Sequence, residues 1–290
     1  MLRFSLHRPT DIQAAISSYA ESTDDAAYIA GGTELLQVMK MGLAEFGTLI
    51  DLKGIRELAG IRQDEDGTLR IGATVTHREI ERSPLIATAL PALVQLEHGV
   101  ANLRIRNCGT LGGNIAFAEP HSDPATLLLV CDARVELLGS AGGREVQMTD
   151  FTIGPLFTVR EPDEIMIAIR VPPATDRHGT AYAKVKFFER PAVSVAVRLW
   201  IADGTITACH VAIGSMTDFP VLVPASAESL VGVPATGDGL DAALPDAVAR
   251  VQDLDAVEDH NGSADYKRHL ASVLLGRVAH AALSEAIHRA

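Results

Sequence analysis

The 290 residues, 47% hydrophobic and 21% charged, suit an ordinary globular chain with room for one large domain or two to three small ones around a real core. A formal charge of −12, from 25 basic against 37 acidic side chains, excludes a nucleic-acid binder, because phosphate-backbone recognition needs clustered positive charge. No uninterrupted apolar run reaches the roughly 18 residues of a membrane span, and Met1 to Pro9 carries Arg3, His7 and Arg8 with no long apolar core, so neither a span nor a signal peptide is expected and the expected compartment is the cytoplasm.

Residues 1–55 read as an α/β unit. Asp11 can cap a helix whose Ile12, Ala15, Ile16 and Tyr19 share one face. Tyr28 to Ala30 form a short strand that runs into Gly31-Gly32. Thr33 can then cap a second helix bearing Leu35, Leu36 and Met39, which Gly42 ends, and Thr48 to Leu52 is the next strand. Residues 56–175 mix strands and helices. Leu69 to Val75 is a strand, Thr76 to Glu79 is a capping-box helix start, and Pro84 to Glu97 is a helix that Pro91 kinks or breaks. A glycine-rich loop at 109–113, a helix opening at Asp123-Pro124 and a hairpin from Arg134 to Met148 follow. Glu164 to Val171 alternates, with Ile165, Ile167, Ile169 and Val171 on one face. Residues 176–290 change pattern: Ala181–Phe188, Ser194–Ile201 and Ile206–Ile213 read as three antiparallel strands, the last two joined through Asp203-Gly204, a hairpin signal. Residues 232–240 read as a surface loop, and two helical stretches follow, the last from about Ser263.

Cys108, Cys131 and Cys209 lie far apart without a CxxC pair, which argues against a disulfide framework or a structural zinc site. They are also too few for the four thiolates of an iron–sulfur cluster, so any such cluster must sit in another chain. The chemistry concentrates in two side-chain-poor segments, Ala30-Gly31-Gly32-Thr33-Glu34-Leu35 and Thr110-Leu111-Gly112-Gly113-Asn114. Paired glycines let backbone amides approach an anion, and a helix N-terminus adds about half a positive charge, so a diphosphate suits such a cradle. Neither segment has the GxGxxG or GxxxxGK[ST] spacing, and each glycine pair alone reads equally as a plain turn.

Taken with the rest of the chain, these segments resemble the FAD-binding medium subunit of the molybdenum hydroxylases, the group that includes xanthine dehydrogenases and carbon monoxide dehydrogenases. The first segment matches that family's AGGT-type loop, and RIRNCGTLGGNIAFAEPHSD (Arg104 to Asp123) its second. Glu164-Ile165-Met166, Tyr182, Lys186, Arg190 and the run Ser263 to Arg268 match in order. The resemblance implies an α+β chain: a two-part FAD-binding fold of the vanillyl-alcohol oxidase type, then a C-terminal domain of three antiparallel strands and helices.

It further implies that Ala30, Gly31, Gly32, Thr33, Glu34 and Leu35 wrap the FAD diphosphate, with Thr110, Leu111, Gly112, Gly113 and Asn114 as the second wall. Asp123 is expected to accept from the ribityl hydroxyls, although Asp-Pro at a helix start is also an N-cap. Met166 matches a residue that touches the isoalloxazine, and equally fits a plain core position. Lys186 matches a lysine near the flavin ring, with Lys184 the competitor if the register slips by one pleat. Ser194 departs from the pattern, standing where the family often has an acidic residue. His121 reads as an exposed loop histidine without a fixed partner, and Arg104 and Arg106 read either as favouring the phosphates or as merely surface residues. The implied function is electron relay within an oxidoreductase complex, from [2Fe–2S] clusters of a small subunit through FAD to an external acceptor. The molybdopterin cofactor sits in a large subunit, and the assembly is a dimer of heterotrimers. The alternatives are a self-sufficient FAD oxidoreductase of the same fold and a flavin-free scaffold.

Overall fold

The computed structural model of the protein describes residues 3–22, 25–174 and 176–289. The N-terminal unit follows its local signals. After β1 (Ser5–His7), the Asp11 carboxylate accepts from the Ala14 amide and starts α1 (Ile12–Glu21), satisfying a donor that the helix cannot. Then β2 (Ala26–Ile29), α2 (Leu35–Lys40) and β3 (Thr48–Asp51) complete a parallel sheet in the order β1-β3-β2. Ala15 and Ile16 of α1 pack with Ile50, Ile55 and Leu58. The expected Thr33 cap is not formed. Glu34 is the cap residue of α2 and makes no side-chain bond to it, because its carboxylate pairs with Arg190 instead.

The second unit runs through β4 (Ile61–Gln63), β5 (Leu69–Gly72), α3 (His77–Glu81), α4 (Pro84–Ala89), α5 (Pro91–His98), α6 (Leu103–Arg106), α7 (Leu111–Phe117) and α8 (Asp123–Val130). It continues through β6 (Arg134–Gly139), β7 (Gly142–Gln147), α9 (Met148–Phe151), β8 (Thr152–Gly154), β9 (Phe157–Thr158) and β10 (Ile165–Val171). Five of these strands form an antiparallel sheet ordered β4-β5-β10-β6-β7. The Thr76–Glu79 capping box forms in full, and Leu90-Pro91 breaks the helical stretch into α4 and α5, since proline removes a donor and crowds the turn before it. The strand expected over Leu69–Val75 stops at Gly72, because the Val75 amide turns back onto the Gly72 carbonyl at 3.0 Å. A bulge between Met166 and Ala168 also breaks the single face expected of β10. Ile165 and Ile167 pack toward α1, whereas Met166, Ile169 and Val171 face the central core on the other side.

The third unit is an antiparallel sheet of β11 (His178–Lys186), β12 (Pro191–Ala202), β13 (Thr205–Gly214) and the two-residue edge strand β14 (Val221–Leu222). Asp203 and Gly204, at φ 49° and 73°, make the turn with two positive φ angles that a tight hairpin prefers. Three helices follow: α10 (Pro224–Glu228), α11 (Gly237–Gln252) and α12 (Ala264–His288). The loop expected at 232–240 ends early, because the Thr236 hydroxyl accepts from the Gly239 amide and starts α11, burying Leu240. By length and composition α12 is apolar enough to cross a membrane. In this fold its apolar side, including Ala271, Leu275, Ala282 and Leu283, lies in the core against the sheet. Gly179 permits the contact, since a Cβ there would sit 2.6 Å from the Ala286 amide nitrogen.

Candidate functional site

The three units meet around a cleft of about 870 Å³, within the roughly 300–1,000 Å³ usual for cofactor sites. The two glycine segments cross there. A Cβ on Gly31 would lie 2.7 Å from Gly109 Cα and closer still to the Cys108 carbonyl, so only glycine allows the approach. Gly32 turns at φ 68°.

The two segments offer different chemistry. Among the described residues, no acceptor meets the amides of Gly31, Gly32, Thr33 and Glu34, which leaves consecutive donors at the cleft. The second segment is not the loop its glycines suggest; it is the start of α7. Four of its five amides are already used, all but that of Thr110: Leu111 donates to Val75 O at 3.0 Å, Gly112 to Ala73 O at 3.1 Å, Gly113 to Thr110 Oγ1 at 3.1 Å and Asn114 to Thr110 O at 2.9 Å. Glycine is needed for packing, since a Cβ on Gly112 would lie 2.6 Å from Ala73 O. At six and seven residues α2 and α7 are short, so free amides rather than a helix dipole make the anion site.

Of the residues singled out in sequence, Ala30 to Leu35, Thr110, Gly112, Gly113, Asn114, Asp123 and Met166 line the cleft. Leu111 is fully buried in the central core behind it. Lys186 does not line it; it is exposed at the end of β11, with Nζ 3.3 Å from the Gly99 carbonyl. Lys184 is the more buried of the two, its side chain 10% exposed. It pairs with Asp123, whose other oxygen accepts from Tyr182, and reaches Gly99 O at 3.0 Å. Burial, then the adjacent Asp123 charge, pushes the Tyr182 hydroxyl well above its usual value and keeps it a donor. Ser122, not Asp123, caps α8, its Oγ 3.3 Å from the Ala125 amide. Ser194 is buried with its hydroxyl 3.1 Å from that of Thr126.

A chain of ion pairs that sequence reading did not find runs along the cleft. Glu34 meets Arg190 at 3.2 Å, and Arg190 meets Glu119 at 2.8 Å. His121 then bridges Glu119 at 2.8 Å and Asp259 at 2.9 Å, and Asp259 meets Lys267 at 2.8 Å. His121 is therefore held on both ring nitrogens, contrary to the exposed histidine expected. Its partners lie 2 and 138 residues away, and the distant one left no local signal. Burial alone would lower the His121 pKa, but the two carboxylates override it and raise the value above 6.5. Burial opposes ionisation of Glu119 as well, yet His121 and Arg190 bring it below 4.5. The raised histidine stabilises the fold fully below pH 6.5 and loses that contribution as pH rises through its folded value. The lowered Glu119 contributes above pH 4.5 and loses it as pH falls. The link is thus strongest between about pH 4.5 and 6.5. His121→Leu is expected to lower stability by about 1.5–3 kcal/mol in that window, and thermal melts from pH 5 to 9 should show the difference from wild type shrinking toward the alkaline end.

Comparison with known proteins gives a consistent set of matches. Residues 2–174 match the family model described as "FAD binding domain in molybdopterin dehydrogenase", and residues 183–282 the "CO dehydrogenase flavoprotein C-terminal domain". The chain is 33% identical over 287 residues to the carbon monoxide dehydrogenase medium chain of Afipia carboxidovorans, covering 98% of each. It is 29% identical to a putative xanthine dehydrogenase FAD-binding subunit of Escherichia coli, covering 98% of this chain and 96% of that one. Among solved structures, a chain of reconstituted CO dehydrogenase from Oligotropha carboxidovorans superposes with a TM-score of 0.92 at 32% identity, covering 98% of this chain and 100% of that one. One of quinoline 2-oxidoreductase from Pseudomonas putida 86 gives 0.90 at 28% identity, covering 99% of both.

Proposed function

The chain belongs to the FAD-binding medium subunits of the molybdenum hydroxylases, and from that premise we propose that its cleft holds FAD with the diphosphate on the amides of Gly31 to Glu34. One observation carries the placement: two glycine segments far apart in sequence cross at the cleft, and one of them presents amides without acceptors. The residues fit the group. Neutral amides suit two phosphate charges in a −12 chain, and the crossing leaves no room for a β-carbon.

When bound, FAD supplies redox chemistry that exchanges electrons singly or in pairs. The chain's own residues bind and orient. Ala30 to Leu35 form one wall of the cradle, and the side chains of Thr110 and Asn114 with the compact Gly112-Gly113 step form the other, while Leu111 anchors that wall from the core. Asp123 is held by Tyr182 and Lys184, and offers its carboxylate at the cleft for the ribityl hydroxyls. Lys184 is the lysine of β11 that serves the site. Met166 gives the cleft an apolar surface from β10. Residues 1–55 and 56–175 form the two parts of the FAD-binding region and 176–290 the C-terminal domain.

In this reading the chain relays electrons from the [2Fe–2S] clusters of a small subunit to an external acceptor. Substrate is oxidised at molybdopterin in a large subunit, within a cytoplasmic dimer of heterotrimers. Purifying the native assembly tests this: molybdenum, iron and FAD should co-elute with the chain and two partner polypeptides. A lone chain that turns over a small substrate would overturn the relay reading.

A further inference from the structure

The cleft holds a buried ion pair to which neither sequence reading nor the comparisons assign a role. His77, the first residue of α3, is 3% exposed and lines the cleft. Its Nδ1 lies 2.7 Å from a carboxylate oxygen of Glu97, which is fully buried. Its Nε2 has no partner among the described residues. The ring sits where the glycine segments cross. The His77 amide donates to Gly109 O at 3.0 Å, and a Cβ on Gly109 would lie 3.1 Å from His77 Cδ2 and 3.4 Å from Thr33 Oγ1. Gly31 abuts that same Gly109. The ring edge formed by Cδ2 and the adjoining Nε2 therefore lies beside the first segment, whose amides are open.

We propose that His77 binds the FAD diphosphate through Nε2–H, closing the cradle where the second glycine segment meets the first, with Glu97 as the positioning residue that fixes the ring. This rests on the FAD reading of the cleft and adds a donor to it. In the second glycine segment the amides of Leu111 to Asn114 already donate within the protein and only that of Thr110 has no acceptor among the described residues, so further donors on that side must be side chains. The pair also has the right proton count. Burial disfavours a net charge on the pair, so with Glu97 ionised neutrality puts protons on both ring nitrogens. If the proton rests on Glu97, that carboxyl donates to Nδ1 and the neutral ring keeps its proton on Nε2. Both arrangements leave the buried pair neutral and present N–H toward the cleft. Burial raises Glu97, against the pull of His77, which favours sharing the proton.

Removing His77 alone would strand the Glu97 carboxyl, so the primary variant is His77→Phe/Glu97→Leu, which replaces both polar partners with apolar groups of similar shape; His77→Gln is the second. FAD binding to the full-length apo-chain is followed by flavin fluorescence, and the ³¹P spectrum of bound FAD is recorded for each protein. The expected result is a dissociation constant raised about 10–100-fold in both variants, with at least one diphosphate resonance displaced from its wild-type position. Unchanged affinity would overturn the proposal. So would weaker binding with both ³¹P resonances in place, which marks a purely structural role. Wild-type chain that binds no FAD would instead overturn the reading of the cleft itself.

Discussion

Gly31→Val should empty the cleft of flavin while leaving the chain folded. The added Cβ would collide with the backbone at Cys108 and Gly109, and backbone cannot rotate aside as a side chain can. The segments must then part by on the order of 1 Å, which separates the amides of the first from the wall built by the second. We expect the FAD dissociation constant to rise at least ~100-fold, equivalent to about 2.7 kcal/mol. Gly237→Ala is the matched control, because a Cβ there meets nothing within 4 Å and lies in α11, far along the chain from either segment. Equilibrium titration of the apo-proteins with FAD, with circular dichroism as a check on folding, decides the matter. A Gly31→Val chain with wild-type affinity would show the diphosphate lies elsewhere.

Asp123→Ala should bring the largest loss of stability. Asp123 and Lys184 are 5% and 10% exposed, so whichever charge is left is largely shielded from solvent. Removing one partner of a buried pair costs about 3–5 kcal/mol, more than the net worth of the intact pair, because the survivor is desolvated and unpaired. In a chain of this size that is a fall in melting temperature of roughly 5–8 °C. Tyr182 loses its acceptor in the same variant. The double variant Asp123→Ala/Lys184→Met removes the stranded ammonium and should recover at least about half of the loss. Melts of flavin-free protein keep this separate from cofactor binding. A single variant melting within about 2 °C of wild type would mean that the pair is solvated.

What the sequence made legible was mostly local. The Thr76–Glu79 box, the break at Pro91 and the Asp203-Gly204 turn each depend on a few adjacent residues, and each formed as the residue chemistry dictates. The glycine segments were legible as a place but not as a mechanism. Their spacing cannot tell that the Leu111 and Gly112 amides are taken by the turn after β5, at Val75 and Ala73, while those at Gly31 to Glu34 stay open. Alternation failed where strands bulge. The irregularity at Ile167 moves Ile169 and Val171 off the face of Ile165 and onto that of Met166. Another between Val185 and Lys186 ends the regular pleat of β11, so Lys184 and not Lys186 reaches Asp123. The pairs His77–Glu97 and His121–Asp259 join residues 20 and 138 positions apart, and no periodicity announces them.

The most direct measurement is the ratio of FAD to this chain in the purified native assembly, from flavin absorbance after denaturation and quantitation of the polypeptide. One FAD released per chain is the predicted result. An assembly that oxidises its substrate with no FAD associated with this chain would contradict the central claim.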